Sequence, residues 1–218
     1  MSIKRLKAKG ERRKANKENS EPQTPNSELI FILGGARSGK SSFALKLAES
    51  ITPPPTSPHK GGRTKVGGKR LYIATAEALD KEMEERIKKH KKERGNNWTT
   101  IEEPIKIVDI IKKNKKHNVI LLDCLTLWIS NLMRKEARGK WQGARGRRTM
   151  QAITELISAC KDAKASIIIV SNEVGLGIVP DNPLARQFRD IAGFANQKIA
   201  DAADEVYFMV SGIPSKIK

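Results

Sequence analysis

Aromatic residues are scarce in this chain: five Phe, three Trp and two Tyr among 218 residues. A surface that grips single strands by stacking bases needs more rings, so the scarcity weighs against a nucleic-acid-binding ATPase. Cysteine is scarcer still. Cys124 and Cys160 lie far apart, match no metal spacing and fall at a strand end and in a helical pattern. They read as buried free thiols in a reducing cytoplasm. No apolar run approaches about 18 residues, which predicts no membrane span. The N-terminus lacks the apolar core of a secretion signal, and its acids and prolines argue against a transit peptide.

Acid is the other shortage: 24 Asp and Glu face 42 Lys and Arg, a formal net charge of +18. Where the excess sits decides what it means. Residues 1–27 hold eight Lys/Arg against three Glu, residues 52–70 hold five and no acid, and residues 134–148 hold seven against Glu136. Nearly all the excess therefore falls in a tail and two loop-like stretches, and the rest of the chain is ordinarily charged. The tail, 1–27, is expected to be disordered or loosely helical. A solvated tail and a weak contact for acidic polymers both remain open. The Pro- and Gly-rich stretch 52–70 reads as an exposed insertion, and 136–148 as a basic linker.

What is present begins with Leu29–Leu33, an apolar run that breaks at Gly34-Gly35, with an amphipathic pattern from Ser41. Between them, Gly34-Gly35-Ala36-Arg37-Ser38-Gly39-Lys40-Ser41 fits the Walker A phosphate loop. Gly34 and Gly39 allow a tight turn that aims backbone N–H groups at a polyphosphate, and the next helix adds its positive end. Lys40 is placed for the β- and γ-phosphates, and the Ser41 hydroxyl for Mg²⁺.

Strands are expected at 29–33, 71–74, 99–102, 119–123 and 166–170, with a last one at 205–210. Helices are expected at 41–50, 79–94, 105–113, 127–135, 150–163 and 184–203. Apolar strands alternating with helices, without hairpins between core strands, predict an α/β fold. The expectation is a single three-layer P-loop NTPase-like domain, 28–218, with a mostly parallel sheet and a basic N-terminal tail. Its nucleotide should sit at the strands' C-terminal edge.

Asp123, after four apolar residues, fits a Walker B carboxylate able to hold Mg²⁺ directly or through water. Arg86, His90 and Arg94 recur every four residues and share one helical face. Such a His is either solvated surface or a nucleophile among cations that attract a polyphosphate. Arg186, Arg189 and Asp190, after the loop Val174–Pro180, are either a structural ion-pair set or contacts to nucleotide or its co-substrate across a subunit interface.

Several segments together carry a resemblance: GGARSGKS at 34–41, YIATAEALDKEM at 72–83, ERIKKHKKER at 85–94, LLDCLTLWISNL at 121–132, and the long run 172–206 closing on VSGIPSKIK. The chain resembles the bifunctional adenosylcobinamide kinase / adenosylcobinamide-phosphate guanylyltransferase family of cobalamin assembly. The tail and the insertion 52–70 are not part of that pattern. The resemblance implies that the enzyme phosphorylates adenosylcobinamide with ATP or GTP. It then transfers GMP from GTP to that phosphate and releases pyrophosphate. It implies that His90 takes GMP as a phosphoramidate, and that Lys40 and Ser41 handle triphosphate and Mg²⁺. Thr75, Ala76, Glu77, Arg94, Gly95, Asn96, Asn97, Glu102 and Asp123 would line the guanine nucleotide site. A homotrimer is implied as well. Of the other histidines, His59 lies in the insertion and His117 at the N-terminal side of the Asp123 strand. His90 alone follows a strand expected to border the phosphate loop. A P-loop small-molecule kinase without nucleotidyl transfer is the competing enzyme reading.

Overall fold

The computed structural model describes residues 27–52, 68–138 and 146–218. The tail 1–26 and the middles of the insertion and the linker, 53–67 and 139–145, lie outside the described residues. Within the described residues seven strands form one sheet: β1 (Leu29–Gly34), β2 (Arg70–Ala74), β3 (Thr99–Glu102), β4 (Val119–Asp123), β5 (Ser166–Val170), β6 (Glu205–Val210) and β7 (Ile213–Lys216). Six helices accompany them: α1 (Lys40–Ile51), α2 (Lys81–Arg94), α3 (Ile107–Lys113), α4 (Leu125–Arg138), α5 (Arg147–Lys161) and α6 (Pro183–Ala202). The strand order is β3-β2-β4-β5-β1-β6-β7. Every pairing is parallel except β6 with β7.

The alternation of a strand explains the layers. Leu29, Phe31 and Leu33 join Leu71, Ile73, Ile120, Leu122, Ile167 and Ile169 in a core covered by α3, α4, α5 and α6. Ile30 and Ile32 point the other way and join Tyr72, Leu121, Ile168 and Val170 under Ala44 and Ala48 of α1. Strands buried on both faces must be apolar throughout, which is why β1, β4 and β5 read as unbroken runs. Helix α2 differs from the others. Asp80 caps it by accepting from the Met83 N–H at 2.8 Å, Gly95 ends it at φ 63°, and its one buried residue is Arg94.

Three boundaries correct the sequence reading. Residues 205–210 are not the last strand. Ser211 and Gly212 both have positive φ, 50° and 84°, and make a two-residue turn of the kind that suits a hairpin. Pro214 is tolerated in β7 because that strand is the sheet's edge. The insertion is narrower than 52–70. Thr52 and Arg70 are both buried, and Arg70 Nε donates to the Thr52 hydroxyl at 2.9 Å, clamping its two ends together. The linker is narrower too: α4 continues to Arg138, and Glu136 accepts from the Gly146 N–H and the Thr149 hydroxyl, each at 3.0 Å.

Candidate active site

The phosphate loop leaves the C-terminal end of β1 and enters α1. A Cβ on Gly34 would lie 2.6 Å from the Met209 carbonyl oxygen, so β6 leaves room there only for glycine. Gly39 has φ 89°, and Gly212 of the hairpin donates its N–H to the Ser38 carbonyl at 3.0 Å. The β6–β7 turn therefore braces the loop from behind. Gly35, Ala36 and Arg37 are exposed, whereas Ser38 and Lys40 are buried and Ser41 is half-buried. Lys40 donates to the Gly35 carbonyl. Burial lowers its pKa, Cys124 and Asp123 oppose that shift, and Arg86 adds to it. Lys40, Asp123 and Arg86 thus feel one another across the sheet's C-terminal edge.

Strand β5 lies between β1 and β4, and β2 lies beyond β4. The strand before His90 therefore does not border the phosphate loop. It stands three positions from β1, roughly 14 Å at the usual strand spacing. What crosses the gap is α2. His90 Nδ1 is 3.9 Å from Asp123 Oδ2, and Asp123 also accepts from the Tyr72 phenol at 2.7 Å. Arg94 lies over the Tyr72 ring, 4.0 Å from its centroid, with Nε donating to the His90 carbonyl. Arg94 Nη1 is buried without a hydrogen-bond partner among the described residues.

Beyond α2, a cleft of about 450 Å³ is lined by Lys91, Arg94, Gly95, Thr100 and Glu102, and Lys91 pairs with Glu102. Asn96 and Asn97 are exposed on the adjoining turn. The loop Thr75-Ala76-Glu77 is held from beneath. The Thr75 hydroxyl bonds both the N–H and the carbonyl of Cys124 at 2.8 Å, and buried Asn131 donates to the Thr75 carbonyl at 2.8 Å. Arg134 pairs with Glu77 and bonds Asn131 Oδ1 at 2.6 Å. Arg134 lies outside every quoted motif, and Tyr72, Asn131 and Gly212 fall within segments that carry the resemblance without being assigned a role in the site. The Ser-Gly dipeptide at 211–212 is the available signal for the hairpin.

The remaining candidates lie elsewhere. Arg186 Nη1 donates to the Pro180 and Asp181 carbonyls at 2.9 and 2.6 Å, and Arg189 Nε is 3.9 Å from Asp190 Oδ1. Within the chain these contacts fasten the loop end to α6. His117 is buried just before β4, at the opposite edge of the sheet from Asp123, and His59 lies outside the described residues. No described helix is long and apolar enough to cross a membrane.

A glycine-rich loop opening a helix after a central parallel strand, with an acidic strand end just beyond one intervening strand, defines a P-loop nucleotide-binding α/β protein. Residues 30–217 match the family described as cobinamide kinase / cobinamide phosphate guanyltransferase, and the chain belongs to it. The bifunctional adenosylcobalamin biosynthesis protein CobU of Escherichia coli (strain K12) is 40% identical over 196 residues, 87% of this chain and 99% of the relative. Its Salmonella typhimurium counterpart is 41% identical over the same shares. The Pseudomonas aeruginosa protein CobP, under the same description, is 37% identical over 86% of this chain and 96% of its own. Among solved structures, an ATPase domain aligns with TM-score 0.44 at 14% identity, covering 83% of this chain and 68% of that one.

Proposed function

We propose that this protein phosphorylates the free hydroxyl of adenosylcobinamide with a nucleoside triphosphate, then guanylylates the product through a histidine intermediate on His90. Family membership supports the two activities. The observation that carries the histidine step is the approach of His90 Nδ1 to Asp123 Oδ2, on a helix that also brings Arg86 and Arg94 to this edge. A carboxylate on the Nδ1 side favours the tautomer with its proton there and leaves Nε2 to attack the α-phosphorus of GTP. A P–N bond forms, the bond to the β-phosphate breaks and pyrophosphate leaves. The corrinoid phosphate then attacks the same phosphorus and frees the imidazole.

Lys40, on the first turn of α1, serves the charge of the triphosphate, and the loop's N–H groups cradle it. Arg94 and Gly95, with Glu102, form the wall against which the guanine nucleotide lies. The donors available to a metal are oxygens: the Ser41 hydroxyl opening α1 and the Asp123 carboxylate ending β4. Oxygen donors suit Mg²⁺, which would neutralise phosphate charge and keep its other positions for water and phosphate. The two buried free cysteines accord with a cytoplasmic enzyme, and a homotrimer is the expected assembly.

Incubation with α-labelled GTP tests the reading. Acid-labile label should appear on the wild-type protein and be absent from His90→Asn, while phosphorylation of adenosylcobinamide persists in the variant. Lys40→Ala should lose both reactions. A wild-type protein that phosphorylates but never takes label would be a P-loop kinase alone.

A further inference from the structure

Strand β5 runs between β1 and β4, so the residues leaving its C-terminal end emerge between the phosphate loop and Asp123. They are Ser171, Asn172 and Glu173. Two of these side chains are engaged in the fold: the Ser171 hydroxyl bonds Asn196 at 2.8 Å, and Asn172 donates to the Thr126 hydroxyl at 3.0 Å. Glu173 is different. Its backbone N–H donates to the Gly34 carbonyl at 3.0 Å, which fastens it to the first residue of the phosphate loop. Glu173 as a residue is half-buried, and its Oε1 accepts from the Gly175 N–H at 2.7 Å. Among the described residues Glu173 has no cationic partner and Oε2 has no partner at all.

The other carboxylates of the site are committed. Glu77 pairs with Arg134, Glu102 pairs with Lys91, and Asp123 accepts from Tyr72. The two reactions also differ in what they ask of a base. In the guanylylation the acceptor is a phosphate, already anionic, and it attacks without losing a proton. In the kinase step the acceptor is a neutral hydroxyl, and its proton must go somewhere as the new P–O bond forms.

We propose that Glu173 is the general base of the kinase step. Its Oε2 takes the proton from the acceptor hydroxyl as that oxygen attacks the γ-phosphorus. The bond from the γ-phosphorus to its bridging oxygen breaks, the nucleoside diphosphate leaves with the electron pair, and Glu173 returns the proton to water. The Gly175 N–H holds one carboxylate oxygen and leaves the other free to take a proton. This inference rests on the kinase activity proposed above, and it divides the site's labour: Glu173 serves the first reaction, His90 the second.

The test uses Glu173→Gln in the full chain, because the amide oxygen can still accept the Gly175 bond. Phosphorylation of adenosylcobinamide is measured with ATP, and guanylyl transfer with GTP and supplied adenosylcobinamide phosphate. Kinase kcat should fall about 100-fold or more, the size expected for a lost general base, with KM for ATP unchanged. Guanylyl transfer should stay near wild type. A kinase rate within about threefold of wild type, or an equal loss of both activities, overturns the proposal. If the Gln variant folds poorly, Glu173→Asp answers the same question through the same selective loss. Wild-type protein that makes no adenosylcobinamide phosphate sinks the functional reading itself, and that result is read before any variant is compared.

Discussion

Tyr72 donates its phenol proton to Asp123 Oδ2 at 2.7 Å, although the strand register pairs Tyr72 with Leu121. Asp123 is two residues further along β4, on the same face, and an aromatic side chain reaches such a diagonal neighbour. Burial, and then the Asp123 carboxylate, push the pKa of this phenol far above its usual value. The proton therefore stays on Tyr72, and Asp123 remains an acceptor.

The first prediction follows from that bond. Tyr72→Phe keeps the ring under Arg94 and its contact with Trp98 but leaves a largely buried carboxylate without its donor. Stability should fall by about 1–3 kcal/mol, and both activities should drop. Denaturant melts and the two assays check this. Unchanged stability with unchanged rates would show that Asp123 is held by something else.

Gly34 gives a second. It has φ 153°, and a Cβ there would press on the Met209 carbonyl, which is backbone in a paired strand and cannot swing aside. Gly34→Ala must therefore displace either the loop or β6. A loss of about 1–3 kcal/mol is expected, together with weakened nucleotide binding, measured by thermal melts with and without GTP. A variant that melts normally and gains as much from GTP as the wild type would contradict the assignment.

How far these features are legible in the sequence depends on whether each is local. The phosphate loop is eight consecutive residues, and β4 and β5 must be apolar because both faces are covered, so motif and strands can be read directly. The order of the strands is a long-range matter. Nothing local places β5 between β1 and β4 or keeps β2 from bordering the loop. Tyr72–Asp123 and Arg134–Glu77 join residues 51 and 57 positions apart, and each side chain alone looks like an ordinary strand or surface residue. Arg70 reads as part of the basic insertion because its neighbours are Gly and Lys; its burial depends on Thr52, at the far end of that insertion. The hairpin is a different case. Its Ser211-Gly212 signal is local, but the strand that follows is only four residues long and carries a proline, so it does not read as a strand.

The network under Glu77 separates function from stability. Arg134 and Glu77 are each about a third exposed, 32% and 38%, so water already screens their attraction. Arg134→Ala should cost less than about 1 kcal/mol of stability, yet it frees the loop 75–77 and should weaken GTP binding several-fold. Asn131 is buried and donates to both the Thr75 and Pro104 carbonyls at 2.8 and 3.1 Å. Asn131→Ala leaves both acceptors without that donor and should destabilise by about 1–3 kcal/mol. Calorimetry of GTP binding beside urea melts would reveal the contrast; equal effects on stability would refute it.

The last prediction concerns His117, at the edge of the sheet away from the chemistry. It is 5% exposed, and its Nδ1 finds no hydrogen-bond partner among the described residues. Burial lowers its pKa below 6.5, partly opposed by a backbone hydrogen bond with Asn114 and assisted by Lys116 and Lys69. The sign follows from linkage. In the unfolded chain His117 takes a proton near its ordinary pKa, while the folded state resists it. Its contribution is therefore complete above about pH 6.5 and is lost as the pH falls towards the folded pKa, at no more than about 1.4 kcal/mol per pH unit. His117→Leu puts a side chain that does not titrate in the same buried position. Wild type and variant compared by urea melts at pH 7.5, 6.5 and 5.5 should converge or cross as acid is added, the variant losing less. Every other titratable group is common to the two proteins, so the difference between the curves isolates His117. Parallel curves over that range would mean that His117 is protonated as readily folded as unfolded, and that its burial does not exclude the charge.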